Sequence, residues 1–199
     1  KPKKMIEIGF EATQVAAIYH GGNKEAREAL KEALGDQFST ILPIEERVKT
    51  FDDAYSELGE DHPLCKEYRS VKHGYLLEIG KDLIAYLQLR IITAALNEGW
   101  EPQFVEGERR WYGWYDLIRK EDYERLSDEE KSRCVGRSGS NAYSYGGLVC
   151  SVAYDASSNS STYHGSRLAF KSEKLAAYAA QQFIDIYADF CFIPSTDKE

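Results

Sequence analysis

The sequence predicts an α+β protein with a helical first half, a strand-bearing second half and a closing helix. Three observations carry this. Apolar residues recur at helical spacing up to residue 97, the character turns aromatic and alternating over residues 100–118, and a serine-capped amphipathic segment ends the chain. With 199 residues, 43% hydrophobic and 13% aromatic, the chain has enough apolar content for a sizeable core. The expected division is a helical N-terminal region, 1–99, packed on a main domain, 100–199.

The elements follow in order. GGNKEAREALKEALG places Asn23 as a cap, sets Ala26, Ala29, Leu30, Ala33 and Leu34 at helical spacing, and stops at Gly35. In TFDDAYSELG, Thr50 caps, Asp53 takes the capping-box position and Gly59 closes the turn. Pro63 opens the next helical segment. The run 75–97, YLLEIGKDLIAYLQLRIITAALN, is apolar on nearly every face, as a central buried helix is, and Gly99 ends it.

WEPQFVEGERRWYGWYDLI, 100–118, predicts a strand pair with a turn near Gly107. Its cluster of Trp111, Tyr112, Trp114 and Tyr115 reads either as core between helix and sheet or as a platform for stacking sugars. RKEDYERLSDEEKSR reads as a solvated connector with a short helix after Ser127. SRLAF, 166–170, reads as a short strand. Ser172 then caps a helix whose apolar face, Leu175, Tyr178, Ala179, Phe183, Ile186, Tyr187 and Phe190, must lie on the sheet.

Composition excludes several function classes. The net charge of −8 opposes nucleic acid, which is bound mainly by neutralising phosphates, and it opposes anionic membrane. No apolar run reaches the roughly 18 residues of a span, so no membrane insertion is expected. KPKKMIEIGF has no signal-peptide core and starts with Lys1, which leaves phage particle, cell surface and cytoplasm open as compartments. Cys65, Cys134, Cys150 and Cys191 form no zinc pattern; free thiols are expected, with a Cys134–Cys150 bridge as the alternative.

Catalytic motifs are absent from the sequence. His164, Asp155 and neighbouring serines supply the letters of a triad without a GxSxG elbow. His20, His62 and His73 are isolated, and GRSGS at 136–140 is the nearest approach to an anion-binding nest, with no adjacent lysine. Asp52 with Asp53, and Glu129 with Glu130, are sequence neighbours and so diverge on a helix. The expectation is a protein that is not an enzyme and has no cofactor and no metal. A small hydrolase or transferase using His164 and Asp155 is one alternative; a structural or assembly protein with the last helix as an oligomer contact is another.

One segment departs from the rest of the chain. SNAYSYGGLVCSVAYDASSNSSTYH, 140–164, lacks Lys, Glu, Gln, Met and Trp, and the absence runs from Cys134 through Gly165. Those five residue types are the ones that codons ending in a pyrimidine cannot encode, and the abundant Ser, Tyr and Asp lie one or two base changes from the AAY codons of Asn. Tyrosine gives large amphipathic contact area at low entropic cost, and Ser, Gly and Asn give adaptable hydrogen bonds, the mixture of antibody binding loops. The plain alternative is a Ser/Tyr-rich loop and strand pair with no special role.

This segment, followed by GSRLAFKSEKLAAYAAQQFIDIYADF, resembles the variable region of the C-type-lectin-like target proteins that diversity-generating retroelements of gut bacteria and their phages rewrite. The likeness extends more loosely to VKTFDDAYSELG, ALNEGWEP and WYGWYDL, covering most of 45–193, while Ser157 and His164 depart from the pattern. The resemblance implies a C-type-lectin-like fold over 100–199 and a non-catalytic, hypervariable surface in 138–164 that binds a protein or glycan. The implied ligand-binding residues are Asn141, Tyr143, Tyr145, Ser151, Tyr154, Asp155, Asn159, Ser161 and Tyr163. Gly146, Gly147, Leu148, Val149, Val152 and Ala153 are the expected anchors to the core. Ligand identity and oligomeric state are left open by these residues.

Overall fold

Capping chemistry and one long apolar helix organise the protein. The computed structural model describes residues 9–74, 79–103, 105–118, 120–131, 134–136, 147–157 and 166–192; for 36, 39, 116–118, 120–121, 135–136 and 147–157 it describes the backbone alone. The chain divides into two compact units, Lys1–Arg47 and Val48–Glu199.

The first unit holds helices α1 (Ala12–Gly21), α2 (Lys24–Leu34), α3 (Phe38–Ile41) and α4 (Ile44–Arg47). The Asn23 side chain accepts from the Ala26 amide at 2.9 Å, and Gly35, at φ +52°, takes a left-handed conformation that ends α2, as the sequence predicts. Arg27 donates to the carbonyls of Tyr19 and His20, at 2.9 Å each, and so ties α2 to the end of α1.

The second unit begins with α5 (Phe51–Leu58) and α6 (Pro63–Lys72). The capping box is present: the Asp53 amide donates to Thr50 Oγ1 at 3.1 Å, while Asp53 Oδ2 accepts from the Thr50 amide at 2.8 Å. Pro63 opens α6 as expected, and the isolated His62 caps it, its Nδ1 accepting from the Leu64 amide at 3.2 Å.

Helix α7 (Lys81–Asn97) is the spine of this unit. Leu87, Leu89, Ile91, Ile92, Ala95 and Leu96 are all buried, and α5, α6 and the closing helix α11 pack around it. Glu98, at φ +50°, and Gly99, at φ +84°, turn the chain out of it. The expected start at Tyr75 is corrected: α7 begins after Gly80, and 75–78 lie outside the described residues.

Three antiparallel strands follow, β1 (Arg109–Ile118), β2 (Cys134–Gly136) and β3 (Gly147–Ser157), in the order β1–β3–β2. Between β1 and β2 run the short helices α8 (Lys120–Glu124) and α9 (Asp128–Lys131), the latter opened by Ser127, whose hydroxyl meets the Glu130 carboxylate at 2.8 Å. The chain closes with α10 (Glu173–Gln182) and α11 (Ile184–Cys191). Ser172 caps α10 by accepting from the Leu175 amide at 3.3 Å. Helix α10 packs on β1 and β3, while α11 packs chiefly on α7.

The predicted fold class is overturned. Among the described residues the chain is mostly helical, with too little strand for an α+β, C-type-lectin-like domain. The apolar burden explains this: α7 and the buried face of α10–α11 form the core, and the aromatic stretch yields one long strand instead of a pair. Residues 100–103 are not strand, and Gly107, at φ +81°, sits in a turn just before β1, whose partner is β3. SRLAF is not a strand either: Ser166–Leu168 is a 3₁₀ turn, and Phe170 alone bridges to Trp111. The single closing helix breaks at Phe183, whose φ of −112° interrupts it. Cys134 is a free thiol donating to the Glu130 carbonyl at 3.2 Å, so the Cys134–Cys150 bridge is not formed.

Hydrogen bonds from Thr50 and from the Lys49 and Thr50 amides hold the Asp53 carboxyl below the ordinary aspartate range. A depressed folded-state pKa contributes stability that is present above the unfolded aspartate range and lost as pH falls through the folded value. Wild type should therefore exceed Asp53→Ala in urea stability at pH 7, with the gap closing as pH drops below about 4. Thr50→Ala should cost about 1 kcal/mol at neutral pH.

Candidate functional site

The expected recognition segment, 138–164, meets the described structure along β3. Its pairing with β1 is regular from Arg109↔Ser157 to Trp114↔Val152, then shifts, so that Tyr115 lies opposite Cys150. Ser151 is the extra residue, a β-bulge in the middle of the segment. Tyr154 lies opposite Tyr112 and Asp155 opposite Trp111. Of the residues expected to bind ligand, β3 thus carries Ser151, Tyr154 and Asp155; Asn141, Tyr143, Tyr145, Asn159, Ser161 and Tyr163 lie outside the described residues, as does His164.

β1 supplies the wall beside these positions. On one face Gly113 meets α10 so closely that a Cβ there would lie 2.6 Å from that of Ala180. Tyr115, on the same face, donates its hydroxyl to the Ala180 carbonyl at 2.9 Å and packs its ring on Tyr187. The other face carries Arg110, 0% exposed, then Tyr112, and then Trp114, 40% exposed. Burial pushes the Tyr112 phenol up, against the neighbouring Arg110 charge. The aromatic cluster therefore divides: Tyr112 is buried, Tyr115 is half-buried against α10 and Tyr187, and Trp114 presents indole to solvent.

The end of the segment is fastened as firmly. Trp111 and Phe170 exchange backbone hydrogen bonds at 3.1 and 2.8 Å. Asn97, the last residue of α7 and 3% exposed, donates to the Ala169 carbonyl at 2.8 Å and accepts from the Lys171 amide at 3.0 Å. Lys171 Nζ reaches back to the Asn97 carbonyl at 3.2 Å and the Glu98 carboxylate at 2.9 Å. Arg110 donates to Ser166 Oγ at 3.1 Å from the strand side. Sequence reasoning missed Asn97, Arg110 and Ser166. The signal for the first two was a polar side chain at the end of an apolar helix and a guanidinium within an aromatic strand.

This arrangement is a ladder and turn braced by α7 and α10. Among the described residues no group of three or more His, Cys, Asp or Glu is placed to hold a metal, and no helix is long and apolar enough to cross a membrane. No family model, curated protein or solved structure matches the chain.

Replacing Asn97 with Ala removes the partner of a buried carbonyl and of an amide, and should lower the unfolding free energy by about 1–3 kcal/mol in denaturant titration. Gly113→Ala should cost about 1–3 kcal/mol by forcing the strand from α10. Adding Ala180→Gly should recover part of that loss, a favourable coupling in the double-mutant cycle.

Proposed function

We propose that the protein is a non-catalytic binder of a protein or glycan ligand, recognised through the segment 138–164, whose exposed positions a diversity-generating retroelement rewrites. The observation that carries this reading is the residue content of 134–165, which is confined to residues that pyrimidine-ending codons encode and is rich in the Tyr, Ser, Gly and Asn of adaptable binding surfaces. The resemblance of the segment and of GSRLAFKS to the variable proteins of such retroelements points the same way. The reading does not depend on a lectin-like fold. What it needs physically is a frame that holds the inward positions fixed while outward ones change, because exposed substitutions cost within about half a kcal/mol and core ones several. The Gly113–Ala180 contact and the Asn97 clamp meet that need on two sides of the segment.

The DNA around the gene tests the diversification. A near-copy of the segment's coding sequence, differing where the copy has adenine, is expected; a locus without one overturns that half of the reading. The binding half is tested on a ligand captured from host-cell surface extracts and then purified. Alanine at Tyr143, Tyr145, Tyr154 and Tyr163 together should weaken its binding by about a hundredfold or more, since aromatic anchors dominate interface energy. Unchanged affinity in the fourfold variant would place recognition elsewhere.

A further inference from the structure

Beside the clamp lies a cleft of about 570 Å³ within the second unit, formed by one side of α7, the turn after it, the start of α6 and the 3₁₀ turn at Ser166–Leu168. That volume is of the size that holds a small organic ligand. Its apolar wall is Leu64, Ala94, Trp100 and Pro102.

The polar end is built to donate. Ser166 Oγ receives a hydrogen bond from the buried Arg110, and a guanidinium has only donors, so the hydroxyl must accept there and keeps its own proton for another acceptor. Arg167, next in the chain and exposed, makes no hydrogen bond or ion pair among the described residues. Arg90, also on the lining, is committed through Nη1 to both carboxylate oxygens of Glu67 at 2.9 Å. The buried Thr93 hydroxyl, at the same face of α7, has no hydrogen-bond partner. A polyanion is opposed by Glu101, which is also among the lining residues.

We propose that this cleft binds a small organic monoanion, a carboxylate on an aromatic or aliphatic body. The carboxylate lies on the Ser166 hydroxyl and the Arg167 guanidinium, and the body lies against Trp100, Pro102, Ala94 and Leu64. This site is made of residues outside 138–164, so it is the same in every variant of that segment and stands apart from the proposed recognition surface.

The test uses three probes of one shape on the full chain: phenylacetate, neutral 2-phenylethanol and cationic 2-phenylethylamine. Binding is followed by calorimetry and by the ring ¹⁵N resonance of Trp100, assigned with Trp100→Phe. Phenylacetate should titrate the Trp100 resonance saturably, with the alcohol at least about tenfold weaker and the amine weaker still, because a charge-assisted pair is lost and then reversed. Arg167→Gln, a change of an exposed side chain, should weaken phenylacetate by about tenfold and leave the alcohol unmoved. Ala94→Phe should abolish binding of both. Equal binding of the three probes, an Arg167→Gln variant that binds phenylacetate normally, or a Trp100 resonance that no probe shifts, each overturns the proposal.

Discussion

The amide of Asn97 is the interaction on which the arrangement of the second unit rests. It sits at the last turn of α7, where the helix leaves backbone groups unsatisfied and the chain turns through left-handed Glu98 and Gly99. One primary amide answers a carbonyl and an N–H more than 70 residues away, at Ala169 and Lys171. An amide is suited to this because it donates from nitrogen and accepts on oxygen, so it can pair with both kinds of backbone group at once. The buried spine is thereby joined to the residues just after the 3₁₀ turn at Ser166–Leu168. The Trp111–Phe170 exchange then passes the same point on to β1, and Gly113 passes β1 on to α10.

Local chemistry made much of this legible in the sequence. Asn23, Thr50 with Asp53, Pro63 and Ser172 each begin a helix where their side chains predict, because a cap is decided by residues within one turn. The burial of α7 was legible from its all-round apolarity. What failed were elements whose identity depends on distant partners. Residues 100–103 are not strand, because β1 pairs with β3 instead, and residues 166–168 curl into a turn in which Arg110 donates to Ser166 Oγ while Asn97 takes the Ala169 carbonyl just beyond it. The lectin-like fold was inferred from a likeness centred on the segment 138–164 and its flanks, and the helical bulk of the described residues does not follow it. The cleft was not legible at all, since Leu64, Ala94, Trp100 and Arg167 meet only in three dimensions.

The exposed Trp114 and the cleft thus lie on one unit. Trp114 stands on β1, which pairs with β3 of the proposed recognition segment, while the cleft is walled by α7 and its following turn, whose residues also hold the core together. Substitution in the cleft bears on that core, because Thr93 and Asn97 share its lining and are themselves buried.

The bulge at Ser151 has a consequence for how the segment can change over generations. After it, even-numbered residues of β3 lie opposite even-numbered residues of β1, as at Tyr154 and Tyr112; before it, even lies opposite odd, as at Cys150 and Tyr115. Parity along the strand is therefore set by a single uncounted residue, and adding or removing one position on either side would exchange what is inward for what is outward up to the next turn. Under the proposed function letters in this stretch would be rewritten in place but its length would not, and a lineage that explores new surfaces here would be expected to keep the count of residues between Gly136 and Ser166 constant while their identities drift.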